Sequence, residues 1–174
     1  PSPRAGPARP QGTSYPASVS VSFSPNAGCL SDLLYYLYRV DHEVLIQAYG
    51  FTHPYVGDAL VSALQRGVTV TALLDRSNEA SPSSLANILL KNGATVLTDP
   101  VHAIAHNKLM ILDGQLIITG SYNFTRNAEE RNAENMLVLS NCPELVLAYT
   151  ANFQAHQAHS RTFVPKNTLF KLAE

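Results

Sequence analysis

His106 and Lys108 stand two residues apart at the head of the run "HNKLMILDGQLIITGSYNFT", residues 106–125. In an extended chain residues i and i+2 share a face. The spacing therefore predicts an imidazole and an ammonium side by side. A cation beside an imidazole suits a substrate with negative oxygens: Lys108 holds the anion while His106 attacks or transfers a proton. Ser121 and Asn123 repeat the spacing after Gly120 and offer a hydroxyl and an amide. Asp113-Gly114 is a strong hairpin signal, and folding the two runs together brings all four groups to one anion. Glu134 opens the next apolar run, where its carboxylate can orient an imidazole by accepting its N–H. Each piece alone fits surface decoration or turn chemistry. Their joint occurrence at strand spacing argues for a site.

The elements that must position these groups alternate. "SVSVSF" (18–23) has the period of a strand, and Asn26 offers a helix N-cap for "AGCLSDLLYYLYRV". A buried strand is predicted over 43–51. Pro54 then suits a first helical turn, and Gly67 ends that helix. A strand follows over 68–75. Ser81-Pro82 restarts a helix that Gly93 ends, and a short strand covers 94–98. Runs 107–112 and 115–119 form the hairpin, 134–140 is another strand, and Asn141 and Pro143 open a last helix. This alternation predicts an α/β fold: a central mixed, largely parallel β-sheet with helices on both faces. Residues 1–18 are rich in Pro, Gly, Ser and Ala without periodicity and read as a flexible tail or linker remnant. Residues 19–174 read as a single domain.

Composition narrows the classes. Of the 174 residues 45 % are hydrophobic, which fits a chain that builds a core. The formal net charge is −1, whereas chains that wrap nucleic acid carry a basic excess. Any contact with a polyanion must rest on local charge or be brief. No apolar run approaches the roughly 20 residues of a membrane span. No Gly-rich phosphate loop follows the first strand, so nucleotide-cofactor folds find no support. Cys29 and Cys142 lack metal-site spacing and read as two buried thiols or one disulfide. The start at Pro1, with no signal peptide visible, suits a processed or trimmed product.

The pattern His106-x-Lys108 followed by Asp113, with Gly120-Ser121-x-Asn123, resembles the HKD motif of the phospholipase D superfamily. "AYGFTHPYVGDALVSALQRGVTVTALLD" is similar to the second-strand to third-strand segment of the small bacterial endonucleases in that superfamily, and "RNAENMLVL" (131–139) to their Asn-x-Glu-Asn segment. The resemblance covers roughly residues 19–160. It implies a phosphodiesterase that uses two motifs per site and needs neither cofactor nor metal: one His attacks phosphorus to form a phosphohistidine, the other protonates the leaving oxygen and then activates water. His42, His53, His102, His156 and His159 sit in no second His-x-Lys frame. The implied solution is a two-fold homodimer whose motifs meet at the axis. On this resemblance His106 is nucleophile in one subunit and acid/base in the other. Lys108 and Asn123 bind phosphoryl oxygens, Ser121 assists and Glu134 orients an imidazole.

The implied activity is that of a metal-independent, non-specific endonuclease on DNA and/or RNA. The alternative is a phospholipase acting on lipid headgroups; a third reading is a silent nucleic-acid-binding protein. Periplasmic or secreted placement follows from the same likeness, with a cytoplasmic one open. Asp113 reads as fixing the hairpin, and His53, after the second strand, as lining a substrate groove. Tyr122 and Phe124 alternate with Ser121 and Asn123 and are predicted to face the core. Tyr35, Tyr36 and Tyr38 read as core and dimer packing. His102 has no role in this scheme. His156 and His159, three apart, have metal-compatible spacing, but no third ligand is evident in sequence; they read as a solvated helix end, and no metal site is expected.

Overall fold

The computed structural model describes residues 18–166; the Pro-rich start assigned to a tail, apart from Ser18, lies outside them, as do residues 167–174. Eight strands form one sheet: β1 (Ser18–Ser24), β2 (Glu43–Ala48), β3 (Thr69–Asp75), β4 (Thr95–Asp99), β5 (Lys108–Leu112), β6 (Leu116–Gly120), β7 (Glu134–Ser140) and β8 (Arg161–Thr162). Among the described residues five helices accompany them: α1 (Cys29–Leu37), α2 (Pro54–Gln65), α3 (Ala86–Lys91), α4 (Arg126–Glu130) and α5 (Pro143–His159). The strand order is β1-β7-β6-β5-β2-β3-β4-β8. The fold is α/β with a mixed sheet.

The sheet is not largely parallel, contrary to expectation. Only β2–β3 and β3–β4 pair in parallel, and the other neighbours run antiparallel. The reason is connection length. Parallel neighbours need a crossover, usually helical, and only α2 and α3 supply one. The chain after β4 instead crosses to the far side of β2 without a helix, and the β5–β6 hairpin and β7 then continue antiparallel.

Helices do cover both faces. One core gathers Leu33, Leu37, Ile46, Leu60, Leu74, Leu89, Met110 and Tyr122; the other packs Leu45, Leu73, Leu109, Ile111 and Ile117 against Val146 and Phe153 of α5. Full burial of such a side chain stabilises by about 1.5–3 kcal/mol, so these stripes decide which face each strand turns inward. Cys29 and Cys142 are both buried free thiols, and burial, aided by Glu129 and Asp32, pushes Cys29 up to about 11.

Local details depart from the sequence reading where short-range signals competed. Asn26 is not the N-cap of α1: it takes a left-handed turn at φ 53°, and Gly28 caps instead. β2 stops at Ala48 rather than at residue 51, where the chain bends at Tyr49 and Gly50. Ser81-Pro82 does not start α3: Ser81 closes a 3-10 turn over Arg76–Ala80, and α3 begins at Ala86. The phase of β1 is inverted. Ser22 and Ser24 are buried, with the Ser22 hydroxyl on Asp32, while Val19, Val21 and Phe23 stay half-exposed. Tyr35 and Tyr38 are likewise exposed rather than in the core, and Arg39 lies 3.8 Å over the Tyr35 ring.

Candidate active site

Topology alone assembles the site. β5 runs antiparallel to β2 and β6, and β7 antiparallel to β6. The end of β2, the start of β5, the end of β6 and the start of β7 therefore share one edge of the sheet. Lys108 pairs with Ala48, and Gly120 pairs with Met136, two residues beyond Glu134.

The Asp113-Gly114 turn closes the β5–β6 hairpin, with φ 53° and 61°. Positive φ at both residues is what a two-residue turn matched to strand twist needs. Asp113 also acts beyond the turn. Its carboxylate accepts the backbone N–H of Asp41 at 3.0 Å, of His42 at 2.8 Å and of Glu43 at 2.9 Å. Burial opposes its ionisation, but these three donors outweigh that and hold its pKa below the usual range. It ties the entry of β2 to the hairpin, at the far end from His106.

His106 is exposed on the connection just before β5, not within a strand. Its ring packs on Tyr49, with centroids 4.9 Å apart. Lys108, the first residue of β5, is only 8 % exposed. Its Nζ lies 5.5 Å from the same Tyr49 ring and donates to the His106 carbonyl at 2.7 Å. Imidazole and ammonium thus share one aromatic platform. Burial lowers the Lys108 pKa, and the negative charge of Glu134 partly restores it. Glu134 itself accepts from Asn132 Nδ2 at 3.0 Å. Among the described residues the His106 imidazole takes no hydrogen bond within the chain.

Ser121 and Asn123 lie just beyond β6 in an extended segment. Tyr122 and Phe124, each 1 % exposed, anchor it in the core and so turn the alternate pair outward. Asn123 Oδ1 accepts the Gly50 N–H at 3.2 Å, leaving its amide donors free to point elsewhere. Ser121 Oγ accepts the Asn135 N–H at 3.1 Å. Gly120 permits the turn out of the strand: its φ is +149°, and a Cβ would lie 2.3 Å from the Asn135 carbonyl oxygen. His53 is 3 % exposed, so its imidazole does not itself line a groove. Burial, then Arg126, lowers its pKa. Its neighbours Thr52 and Pro54 do line an open groove, with Ser83, Thr125, Arg126 and Asn127.

Three positioning residues were missed in the sequence. Tyr49 carries His106 and Lys108, and an aromatic near the end of the predicted buried strand was the available signal. Asp75 Oδ2 accepts the Ala105 N–H at 2.8 Å and so fixes the residue before His106. Asn78, buried, donates to the Tyr49 carbonyl at 2.9 Å. The last two act through strand pairings that no local pattern announces.

Comparison with known proteins decides the family. Residues 34–157 match the family described as cardiolipin synthase, PLD-like domain. A phospholipase D of Rickettsia felis is 39 % identical over 142 residues, 82 % of this chain and 70 % of that protein. The chain belongs to the phospholipase D superfamily. A mouse mitochondrial cardiolipin hydrolase is 30 % identical over 139 residues, covering 80 % of this chain and 62 % of that protein. The crystal structure of Nuc from Salmonella typhimurium, a phospholipase D family member, superposes with a TM-score of 0.81 at 31 % identity, covering 85 % of this chain and 99 % of that one. With the superfamily shown, the one-edge cluster of His106, Lys108, Ser121, Asn123 and Glu134 is the candidate active site.

Proposed function

We propose that the protein is a phosphodiesterase that hydrolyses nucleic acid non-specifically through a phosphohistidine, at a site completed by a second copy of the chain. The observation that carries this reading is the open, polar character of the edge. An exposed His106 and a buried, charge-supported Lys108 stand at the same strand ends as Asn123. The adjoining groove offers Thr52, Ser83, Thr125, Asn127 and the cation Arg126. Such a surface suits a hydrated sugar-phosphate backbone.

In the first step a ring nitrogen of one His106 attacks phosphorus. The bond to the leaving oxygen breaks, and the second His106, as imidazolium, gives that oxygen its proton. The same imidazole, now neutral, takes a proton from water; the water oxygen attacks phosphorus and the P–N bond breaks. Lys108 and Asn123 of both copies stabilise the equatorial oxygens, and Glu134 supports the charged imidazole. The exposed apolar strip Val19, Val21 and Phe23 on β1 reaches Asn135, the partner of Ser121, through the Phe23–Asn135 pair. We place the second copy against that strip, where it would complete the shared site.

A phospholipase is the second reading, supported by the names of the Rickettsia relatives and by Val101 and Ile104, exposed on the connection that leads to His106. One assay in EDTA separates the two: plasmid DNA, single-stranded DNA, RNA and phosphatidylcholine vesicles in parallel, with His106→Ala as control. Cleavage of nucleic acid by the wild type alone is expected. Lipid hydrolysis with nucleic acid left intact would replace the first reading by the second.

A further inference from the structure

At the C-terminal end of β4, three strands across the sheet from β5, lies a cluster that the phosphodiester chemistry does not use. Three imidazole nitrogens converge on a single carboxylate oxygen, Asp99 Oδ2: His102 Nδ1 at 2.8 Å, His156 Nδ1 at 3.1 Å and His159 Nε2 at 3.3 Å. The Asp99 side chain is fully buried, while the three histidines are partly open to solvent. Its other oxygen, Oδ1, accepts the backbone N–H groups of Val101 at 2.9 Å and His102 at 3.2 Å, which fixes the carboxylate and aims Oδ2 at the rings.

Hydrogen bonding alone accounts poorly for this geometry. One carboxylate oxygen offers about two lone-pair sites, and three ring donors oversubscribe it. The rings also crowd one another, with centroids 4.8 to 5.3 Å apart. Charging all three would set like charges together. A cation placed among them reverses the logic, because each imidazole then presents a lone pair. The four donor atoms all lie within 4.8 Å of one another. A tetrahedral ion with bonds of about 2.0–2.1 Å needs donors roughly 3.3 Å apart, and the three distances to Oδ2 already lie within about half an ångström of that value.

We propose that Asp99, His102, His156 and His159 bind one zinc-class divalent cation, pinning the end of α5 to the connection that carries His106. Imidazoles with a single carboxylate suit zinc and its late first-row neighbours rather than magnesium or calcium. Four protein ligands fill a tetrahedral shell, so the ion is structural rather than a source of activated water. The fold shows why a pin is useful: of the 17 residues of α5 only Val146 and Phe153 are buried, so its last turn has little apolar anchorage.

The test uses the untagged full chain, stripped with a chelator and dialysed. Cobalt(II) chloride, then zinc chloride, is titrated in while visible absorption and Tm are followed. The expected result is the intense absorption of four-coordinate cobalt saturating at one equivalent, its displacement by zinc, and a Tm raised by zinc. His102→Gln should weaken binding at least roughly 100-fold, since even partners behind a ligand are worth 10- to 100-fold. His156→Ala/His159→Ala should abolish it, and His106→Ala should leave it unchanged. Absent cobalt absorption with no Tm response to a tenfold excess of zinc would overturn the proposal. So would undiminished binding by His102→Gln, an exposed position where folding is not at risk. This site stands independently of the substrate reading, because its readouts are spectroscopic and thermal.

Discussion

At the residue scale, the pair His106 and Lys108 is bound to Tyr49 rather than set on a plain strand face, and this shapes what substitutions do. His106→Ala should remove turnover to below about 1 % of wild type while the protein stays folded, because the side chain is exposed and its ring contact is with Tyr49 alone. Circular dichroism and a single-turnover assay check both halves. Lys108 makes a sharper case. Burial lowers its pKa and Glu134 raises it. The alkaline limb of the rate profile should therefore fall below the ordinary lysine value of about 10.4. Glu134→Gln should move that limb further down in pH. A limb that stays in place in the variant would separate Glu134 from the Lys108 charge. The HKD-like spacing was legible because it is local chemistry. Tyr49, Asp75 and Asn78 were not, since their roles exist only once β2, β3 and β5 lie side by side.

At the scale of elements, two glycines at hairpin and strand end give opposite expectations. Gly114 has φ +61° with open space where a Cβ would go, so Gly114→Ala should cost only about 1 kcal/mol. Gly120→Ala meets the Asn135 carbonyl oxygen at 2.3 Å and should cost about 3 kcal/mol or more, moving Ser121 as it does. Urea unfolding of both variants compares them. Acid should undo the same ties. The Asp75 and Asp113 pKa values both lie below their unfolded values, since backbone and side-chain donors outweigh burial. Their stabilisation is complete above the unfolded value of about 3.9 and is lost as pH falls through the lower folded values. Tm should therefore drop steeply below about pH 4, and less steeply in Asp113→Asn. The Asp-Gly turn, Pro54 and Pro143 could be read in advance because their signals are local. The strand order could not, because hydrophobic period does not say which edges meet. α4 and β8 span only five and two residues and are shaped by what they touch.

At the scale of the whole molecule, the proposed two-chain site has a statistical signature. Subunits of wild type and His106→Ala, mixed equally and allowed to exchange, should retain about a quarter of the activity, because only wild-type pairs hold both imidazoles. Half the activity would mean that each chain works alone. The proposed metal pin adds a second expectation. A chelator should lower Tm yet leave turnover in place at temperatures well below it, because the phosphodiester chemistry does not pass through the ion. Loss of turnover in EDTA at such a temperature, with the fold intact, would point to metal-assisted hydrolysis instead.

The pairing of β1 with β7 has a consequence for biosynthesis. As the chain leaves the ribosome, β2, β3, β4 and their helices can assemble early, from neighbouring contacts alone. β1 emerges before all of them but has no edge to join until β7 has been made. Through most of translation its backbone edge is unpaired, in a segment that also carries Val19, Val21 and Phe23, apolar side chains left half-exposed even after folding; such a segment sticks to other nascent chains. Slowing synthesis after β6 should therefore lower the yield of soluble protein, and a holding chaperone should restore it.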